Sequence, residues 1–440
     1  MHSDISGFHK MGVEERVSLI KKLTNLTDEE VSTLKNFGFL GSDTANRMIE
    51  NVIGVAQLPL GIATNFMING KDYLVPMAIE EPSVVAAASN AAKIVRRSGG
   101  FSASSDEPIM FGQIQLVGVK DFDKMERVIL KNADEIKEIC NRKDSTLVKF
   151  GGGLKGIEFS QLDTEIGKML IVNLLIDVRD AMGANAVNTM CEAVAPYLEN
   201  ITGCESRLKI ISNLATKRLA RARAVFSREA LEESTGGKYD DVVKRIIEAY
   251  QFAKYDKFRC ATHNKGIMNG VDAVVIATGN DFRAVEAGAH SFASISKSGD
   301  SGGYHPLTKY YKDGSGNLVG EIELPVAVGI VGGATRTNPI AKIALKILGV
   351  QTAGELSQVV ASVGLAQNFA AMRALATEGI QRGHLKLHAR NLVTMVGATG
   401  GLIDKIAERM IKENDISHSR AVSLLEEFRR AHNSSAASEI

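Results

Sequence analysis

Lys168–Met190, KMLIVNLLIDVRDAMGANAVNTM, passes from an apolar run through a turn with a single glycine into a segment of small and apolar residues. The pattern predicts a strand over 168–179 and a helix over 184–199. Read outward, residues 112–119 form a strand, 122–141 a helix, 156–161 a strand and 206–213 another. That order, βαββαβ, is the split arrangement of ferredoxin-like domains. The segments on either side read as parts of one further unit, so this domain is an insertion. The expectation is an α+β chain: a large mixed α/β domain from 1–107 and 213–378, the inserted ferredoxin-like, non-Rossmann domain at 108–212, and a helical flap at 379–440.

Two glycine-rich turns inside the insertion compete as phosphate sites. Gly151, Gly153 and Gly156 match GxGxxG, but IEFSQLD follows and reads as a strand. A dinucleotide fingerprint needs a helix there, so this is a turn. DAMGAN, Asp180 to Asn185, does open a helix, where free N–H groups and the positive helix end face an anion.

Composition narrows the classes. The chain has 440 residues, enough for two to four domains and a sizeable core, with 45% hydrophobic and 23% charged residues. A net charge of +1 with dispersed Lys and Arg gives no footprint for nucleic acid or a membrane surface. Cys140, Cys191, Cys204 and Cys260 lack CxxC spacing, which suggests neither zinc nor a disulfide framework and fits a reducing cytoplasm. No N-terminal segment resembles a signal peptide, and apolar runs such as 324–334 are too short to cross a bilayer.

Along the large unit, Val13, Val17, Ile20 and Leu23 share a helical face, Thr27 with Glu30 forms a capping box, and 43–53 reads as a helix carrying Glu50. Asn69-Gly70 marks a hairpin. Its second strand, 73–79, leads to Glu80, Glu81, Pro82 and Ser83, with Pro82 at the first position of a helix. Glu81 is then either a capping carboxylate or, with a raised pKa, a general acid. Later segments read as a helix at 214–223, helical residues at 227–254, a hairpin at 315–331, a helix after GGATRTNP, and helices at 400–413 and 418–431 before a disordered tail SSAASEI.

In HNKGIMNGVDAVVIATGNDFRAVEAG, 263–288, Lys265 sits in a loop, 271–277 reads as a strand and 282–289 as a helix. Such a strand separates its ends by about 20 Å. Lys265 and Asp281 are therefore either a loop cation and a helix cap, or a pair that only the fold brings together. His384 and His388 in GHLKLHARN lack HExxH and a third ligand, which argues against a metal, while one of them suits proton donation to a leaving group.

ENVIG (50–54), EEPSVVAAAS (80–89), DVRDAMGANAVNTM (177–190), HNKG…GAH (263–290), VGGATRTNP (331–339) and LAQNF…HARN (365–391) together resemble the hydroxymethylglutaryl-CoA (HMG-CoA) reductases of the soluble, class II type. The resemblance runs in order through nearly the whole chain. It implies interconversion of HMG-CoA with mevalonate plus coenzyme A by two successive nicotinamide hydrides, through mevaldyl-CoA and mevaldehyde. It assigns Lys265 to the oxyanion, Glu81 to the proton supply, Asp281 to coupling the two, and His384 to protonation of the CoA thiolate. Substrate contacts fall on Glu50, Ser83, Arg259, Asn269 and Asn368. Cofactor contacts fall on Asp144, Asp180, Met182, Gly183, Ala184, Asn185 and Asn213, with no metal.

An acidic Asp144 near the adenosine ribose favours NAD(H), with NADP(H) also admitted because Arg142 and Lys143 adjoin it. The large domain would bind HMG-CoA, the insertion the dinucleotide, and the segment from 379 would close as a lid. The resemblance further implies a cytoplasmic homodimer with active sites at the subunit interface, and leaves higher assembly and the physiological direction open. Two other classes compete: a CoA-thioester binding module without redox activity, and a CoA-thioester hydrolase, for which the chain shows no GxSxG nucleophile.

Overall fold

A computed structural model describes residues 10–24, 26–235, 239–295, 303–377 and 389–436. Ten strands are present among them: β1 Leu60–Ile68, β2 Lys71–Ala78, β3 Ser102–Ser105, β4 Ile109–Val117, β5 Gly153–Thr164, β6 Gly167–Asp177, β7 Glu205–Ser212, β8 Leu219–Phe226, β9 Thr308–Lys312 and β10 Leu318–Pro325. They form a β1–β2 hairpin, an antiparallel sheet in the order β3-β8-β10-β9, and a second in the order β5-β6-β4-β7. All pairings in the latter are antiparallel, so the βαββαβ expectation holds in topology as well as in element order. Its core joins Met110, Ile114, Leu170 and Val172 of the strands to Ile136, Met190 and Val194 of the covering helices.

The larger core surrounds two helices, Lys257–Ala277 and Ala353–Ala376. Reciprocal glycines allow them to approach. A Cβ on Gly270 would lie 2.9 Å from Gln367 Cβ, and one on Gly364 2.9 Å from Val271 Cγ2. Alanine at either position would force the helices apart. The Ala353–Ala376 helix, contrary to the expectation that no apolar segment is long enough, has the length and apolar character to cross a membrane, but most of it is buried in this core. The helices Gly401–Glu413 and His418–Ala436 form a separate small core with Ala389 and Val393.

Several boundaries differ from expectation for identifiable reasons. The loop and strand expected over 263–277 are one helix of 21 residues, capped by Asp256, whose side chain accepts from Arg259 N. In its first half polar His263 and Asn264 are buried and apolar Phe258 is exposed, and over 267–277 burial on nearly every side erases the helical period, so a short apolar run cannot be told from a strand. The helix expected at 214–223 is instead β8, with Ala220, Ala222, Ala224 and Phe226 inward and the longer Arg221 and Arg223 less buried. The hairpin at 315–331 lies at 308–325, because Asp313 Oδ1 accepts from Ser315 N and Asn317 N and fixes the turn there.

The 122–141 helix divides at Asn132 into Phe122–Lys131 and Ala133–Lys143, and the helix begun near residue 43 ends at Met48. Pro82 precedes its helix, which begins at Val84 after Ser83 in a left-handed conformation, φ 75°. The final helix reaches Ala436, into the tail expected to be disordered. The capping box at Thr27 and Glu30 and the Asn69-Gly70 hairpin are present as expected.

Candidate active site

Glu81 and Lys265 meet although 184 positions separate them: Lys265 Nζ lies 2.8 Å from Glu81 Oε2. Glu81 is delivered by the end of β2, and Lys265 by the third turn of the Lys257–Ala277 helix. They border a cavity of about 340 Å3 that also receives Ser83, Arg259, Asn269 and Asn368. Four of the five expected substrate contacts therefore share one cavity with two of the expected catalytic residues. Glu50 is exposed in the turn after the Ser42–Met48 helix and borders neither this cavity nor the one at the DAMGAN turn.

Arg259 is the cavity's uncompensated charge. Burial holds its pKa below the usual arginine range, outweighing a small upward influence from Cys260. Its Nη2 touches Met372 Sδ at 3.9 Å, and among the described residues no carboxylate lies within ion-pairing distance. A half-buried guanidinium is a strong attractor for a carboxylate, which its two-pronged donor fork matches. Asn368 is anchored behind it, its Oδ1 accepting from Thr308 Oγ1 at 3.0 Å and Tyr310 OH at 2.8 Å.

A second cavity, about 480 Å3, lies at the DAMGAN turn and is bordered by Asp144, Met182, Gly183, Ala184, Asn185 and Asp281. Gly183 caps the Ala184–Thr202 helix with φ 105°, and a Cβ there would sit 2.6 Å from Val178 Cγ1. The first bond of this helix runs from Val187 N to Gly183 O, so earlier N–H groups remain for a ligand. This cradle of free N–H groups at a positive helix end fits the pyrophosphate of a dinucleotide.

The turn is clamped to the larger core. Asn280 Oδ1 accepts from Gly329 N at 2.7 Å and its Nδ2 donates to Gly329 O at 3.1 Å. Gly329 passes so close that a Cβ on it would be 2.5 Å from Met182 N. Buried Arg218 donates to the Met182, Ala181 and Val328 carbonyls, with burial pushing its pKa down to about 10 against the pull of Asp177 and Asp180.

Two expected cofactor residues lie outside this cavity. Asp180 Oδ1 accepts from Ala353 N at 2.8 Å, and Asn213 is exposed between β7 and β8; neither borders the cavity. Asp144 does border it, while its Oδ1 accepts from Leu147 N at 2.8 Å. The neighbouring Arg142 is engaged with Glu135 and Glu138, 3.6 Å from each.

Asp281 caps the Phe282–Ser294 helix, accepting from Arg283 N and Ala284 N, and pairs with Arg283 Nε at 3.1 Å. Burial raises its pKa, but Arg283 and the helix N–H groups outweigh that and hold it below the usual carboxylate range. Within one chain it does not reach Lys265. Twelve residues of helix, about 18 Å at 1.5 Å each, separate Lys265 from Ala277, and Asp281 lies beyond that end. His384 falls outside the described residues, as does His388.

Sequence reading missed His263 and Gln367, both of which border the first cavity. Reading 257–277 as a helix would have found His263, since Arg259 and His263, like Lys265 and Asn269, lie one turn apart.

The sequence profile described as hydroxymethylglutaryl-coenzyme A reductase matches residues 12–389. The chain belongs to the HMG-CoA reductase family. It is 58% identical over 429 residues to a 3-hydroxy-3-methylglutaryl-coenzyme A reductase of Archaeoglobus fulgidus, covering 98% of this chain and 95% of that one. A probable HMG-CoA reductase of Borreliella burgdorferi is 36% identical, over 96% of this chain and 94% of its own. Among solved structures, the class II HMG-CoA reductase of Streptococcus pneumoniae bound to NADPH in open conformations matches with a TM-score of 0.74 and 38% identity, over 95% of this chain and all of that one. The protein is accordingly an oxidoreductase with HMG-CoA reductase function.

Proposed function

We propose that this chain interconverts HMG-CoA and mevalonate plus coenzyme A as a homodimer, each active site assembled from the Glu81–Lys265 cavity of one subunit and the DAMGAN cavity of its partner. The observation carrying this reading is that Glu81, Lys265 and an unpaired Arg259 converge on one cavity while Asp281 and the DAMGAN turn converge on another, a helix length away. Neither half contains a full reductase site. A two-fold axis that sets one against the other completes two sites at once. Exposed Leu60, Ile62 and Leu74 of the hairpin, with Ile343 and Ile347 of the Pro339–Leu348 helix, supply apolar surface for such an interface.

Arg259 takes the glutaryl carboxylate, with Ser83, Asn269 and Asn368 as lesser contacts and Glu50 near the interface. Lys265 stabilises the oxyanion that develops at the thioester carbon. Glu81, already bonded to it, supplies the proton to the reduced oxygen. Asp281 of the opposite subunit joins the pair. A bound nicotinamide supplies the two hydrides. Residues 108–212 carry the dinucleotide on the Gly183 cradle, with Asp144, Met182, Ala184 and Asn185 along it and Asp180 and Asn213 acting from behind. Asp144 favours NAD(H), although the pneumococcal relative holds NADPH.

The segment from 379 closes over the site and brings His384 to the departing CoA thiolate. The substrate-binding unit comprises 1–107 and 213–378. A cytoplasmic location suits the pathway substrates.

The test is nicotinamide absorbance with HMG-CoA, for the native chain and Arg259→Ala. We expect turnover consuming two reduced nicotinamides per thioester, and a KM for HMG-CoA raised at least about tenfold in the variant. No turnover by folded native protein with NADH or NADPH would refute the reading.

A further inference from the structure

His263 borders the Glu81–Lys265 cavity one helical turn from Arg259 and is buried. Its Nε2 lies 2.6 Å from Thr308 Oγ1, whereas its Nδ1 is buried without a partner. Two groups face Nε2, Thr308 Oγ1 at 2.6 Å and Asn368 Nδ2 at 3.3 Å, and the much shorter contact to Thr308 sets which nitrogen carries the proton. Asn368 Oδ1 accepts from Tyr310 OH and from Thr308 Oγ1. Thr308 has a single hydroxyl proton, so once it is given to Asn368 its oxygen faces Nε2 as an acceptor. Nε2 therefore carries the hydrogen.

With Asn368 Oδ1 turned to Thr308 and Tyr310, the reverse assignment, in which Thr308 donates to Nε2, would set two oxygen acceptors against each other at 3.0 Å. Burial, reinforced by the Arg259 charge, pushes the His263 pKa down to about 3, so the ring is neutral. A neutral ring protonated at Nε2 offers a lone pair at Nδ1. Gln367 Oε1 is a second buried atom without a partner in this cavity, but its amide can turn to present either a donor or an acceptor.

We propose that His263 is a specificity residue whose Nδ1 accepts a hydrogen bond from the 3-hydroxyl of the bound acyl group while Arg259 holds its carboxylate. This rests on the HMG-CoA reading of the cavity. Nδ1 requires an O–H or N–H donor, and the tertiary hydroxyl is the sole donor in the hydroxymethylglutaryl group. That hydroxyl lies two carbons from the carboxylate carbon, a separation suited to side chains one turn apart on a helix. An acyl-CoA lacking the hydroxyl leaves a buried acceptor unpaired, and sites built in this way reject such analogues by large factors. Thr308 is the positioning residue, since it acts through the ring.

The experiment compares kcat/KM for HMG-CoA with that for 3-methylglutaryl-CoA, which keeps the carboxylate and methyl and lacks only the hydroxyl. The native chain, His263→Phe and Thr308→Val are each assayed, with imidazole 15N shifts recorded for the native chain and Thr308→Val. We expect a native preference of about a thousandfold or more for the hydroxylated substrate. His263→Phe should reduce that preference by about two orders of magnitude. Thr308→Val should reduce it by about one, with the 15N shifts moving from a single tautomer to a mixture.

Unchanged selectivity in folded variants, or native 15N shifts showing the proton on Nδ1, would overturn the role of His263 while leaving the HMG-CoA reading intact. Absence of HMG-CoA turnover in the native chain would overturn both. If His263→Phe does not fold, Thr308→Val and the native shifts still decide the matter.

Discussion

If Lys265 and Asp281 serve the same reaction from different subunits, two inactive variants should rescue each other. Lys265→Ala and Asp281→Ala chains, co-expressed with different tags, pair at random, so about half of the dimers are mixed. In a mixed dimer one site combines both lesions and the other combines intact Lys265 with intact Asp281. Half of the dimers with one good site of two gives about a quarter of wild-type activity per site. Dimers purified through both tags in series should reach about one half.

The structural basis is the rigid helix that holds Lys265 about 18 Å from its own C-terminal end, beyond which Asp281 is fixed by Arg283 and the helix it caps. Activity is read as nicotinamide oxidation with HMG-CoA, normalised to folded dimer. Doubly tagged dimers no more active than the parent variants would refute the shared site, because both residues would then have to act within one chain.

Asp144→Ala should gain activity with NADP(H) relative to NAD(H) in steady-state assays, since it removes a negative charge from the cavity at the DAMGAN turn; an unchanged ratio would remove Asp144 from cofactor selection. His384→Gln should lose thioester reduction while keeping much of its reduction of free mevaldehyde, which has no thiolate to protonate, and equal loss of both would contradict the leaving-group role. Burial, with Glu286 opposite, lifts the Asp272 carboxyl from 3.8 to about 8. The native state therefore holds this proton across a window in which the unfolded chain has released it, and stability falls as pH rises through that window. In thermal denaturation between about pH 4 and 8, Asp272→Asn should lose less stability with rising pH than the native chain, and parallel profiles would show that Asp272 is not the responsible group.

What the sequence disclosed follows from how local each signal is. Asn69-Gly70 and the Thr27–Glu30 box were readable because each is complete within a few residues. The DAMGAN turn was separable from GGGLKG because the element that follows differs: a helix after Gly183, and strand β5 from Gly153. The Lys257–Ala277 helix was misread because its first half buries polar His263 and Asn264 and exposes apolar Phe258, while its second half is packed on nearly all sides, so polarity does not follow the helical period.

Glu81 and Lys265 could be singled out from their neighbours, but their 2.8 Å contact is a long-range product of the fold. His263 escaped notice for a related reason. Its lone pair is defined by Thr308, Asn368 and Tyr310, which are 45 to 105 residues away and on other elements.

The central claim is that Lys265, held by Glu81, stabilises the charge that develops on the reduced carbonyl. A single-turnover measurement of nicotinamide oxidation with saturating HMG-CoA, native chain against Lys265→Ala, addresses it most directly. Loss of one preorganised donor at a developing oxyanion costs about 3 to 4 kcal/mol, a drop of roughly a hundred- to a thousandfold in the rate. The account predicts that drop with cofactor affinity unchanged, because the DAMGAN cradle lies in the other cavity. A variant that retains its rate within a few-fold, or that loses it only through weaker cofactor binding, would contradict the account.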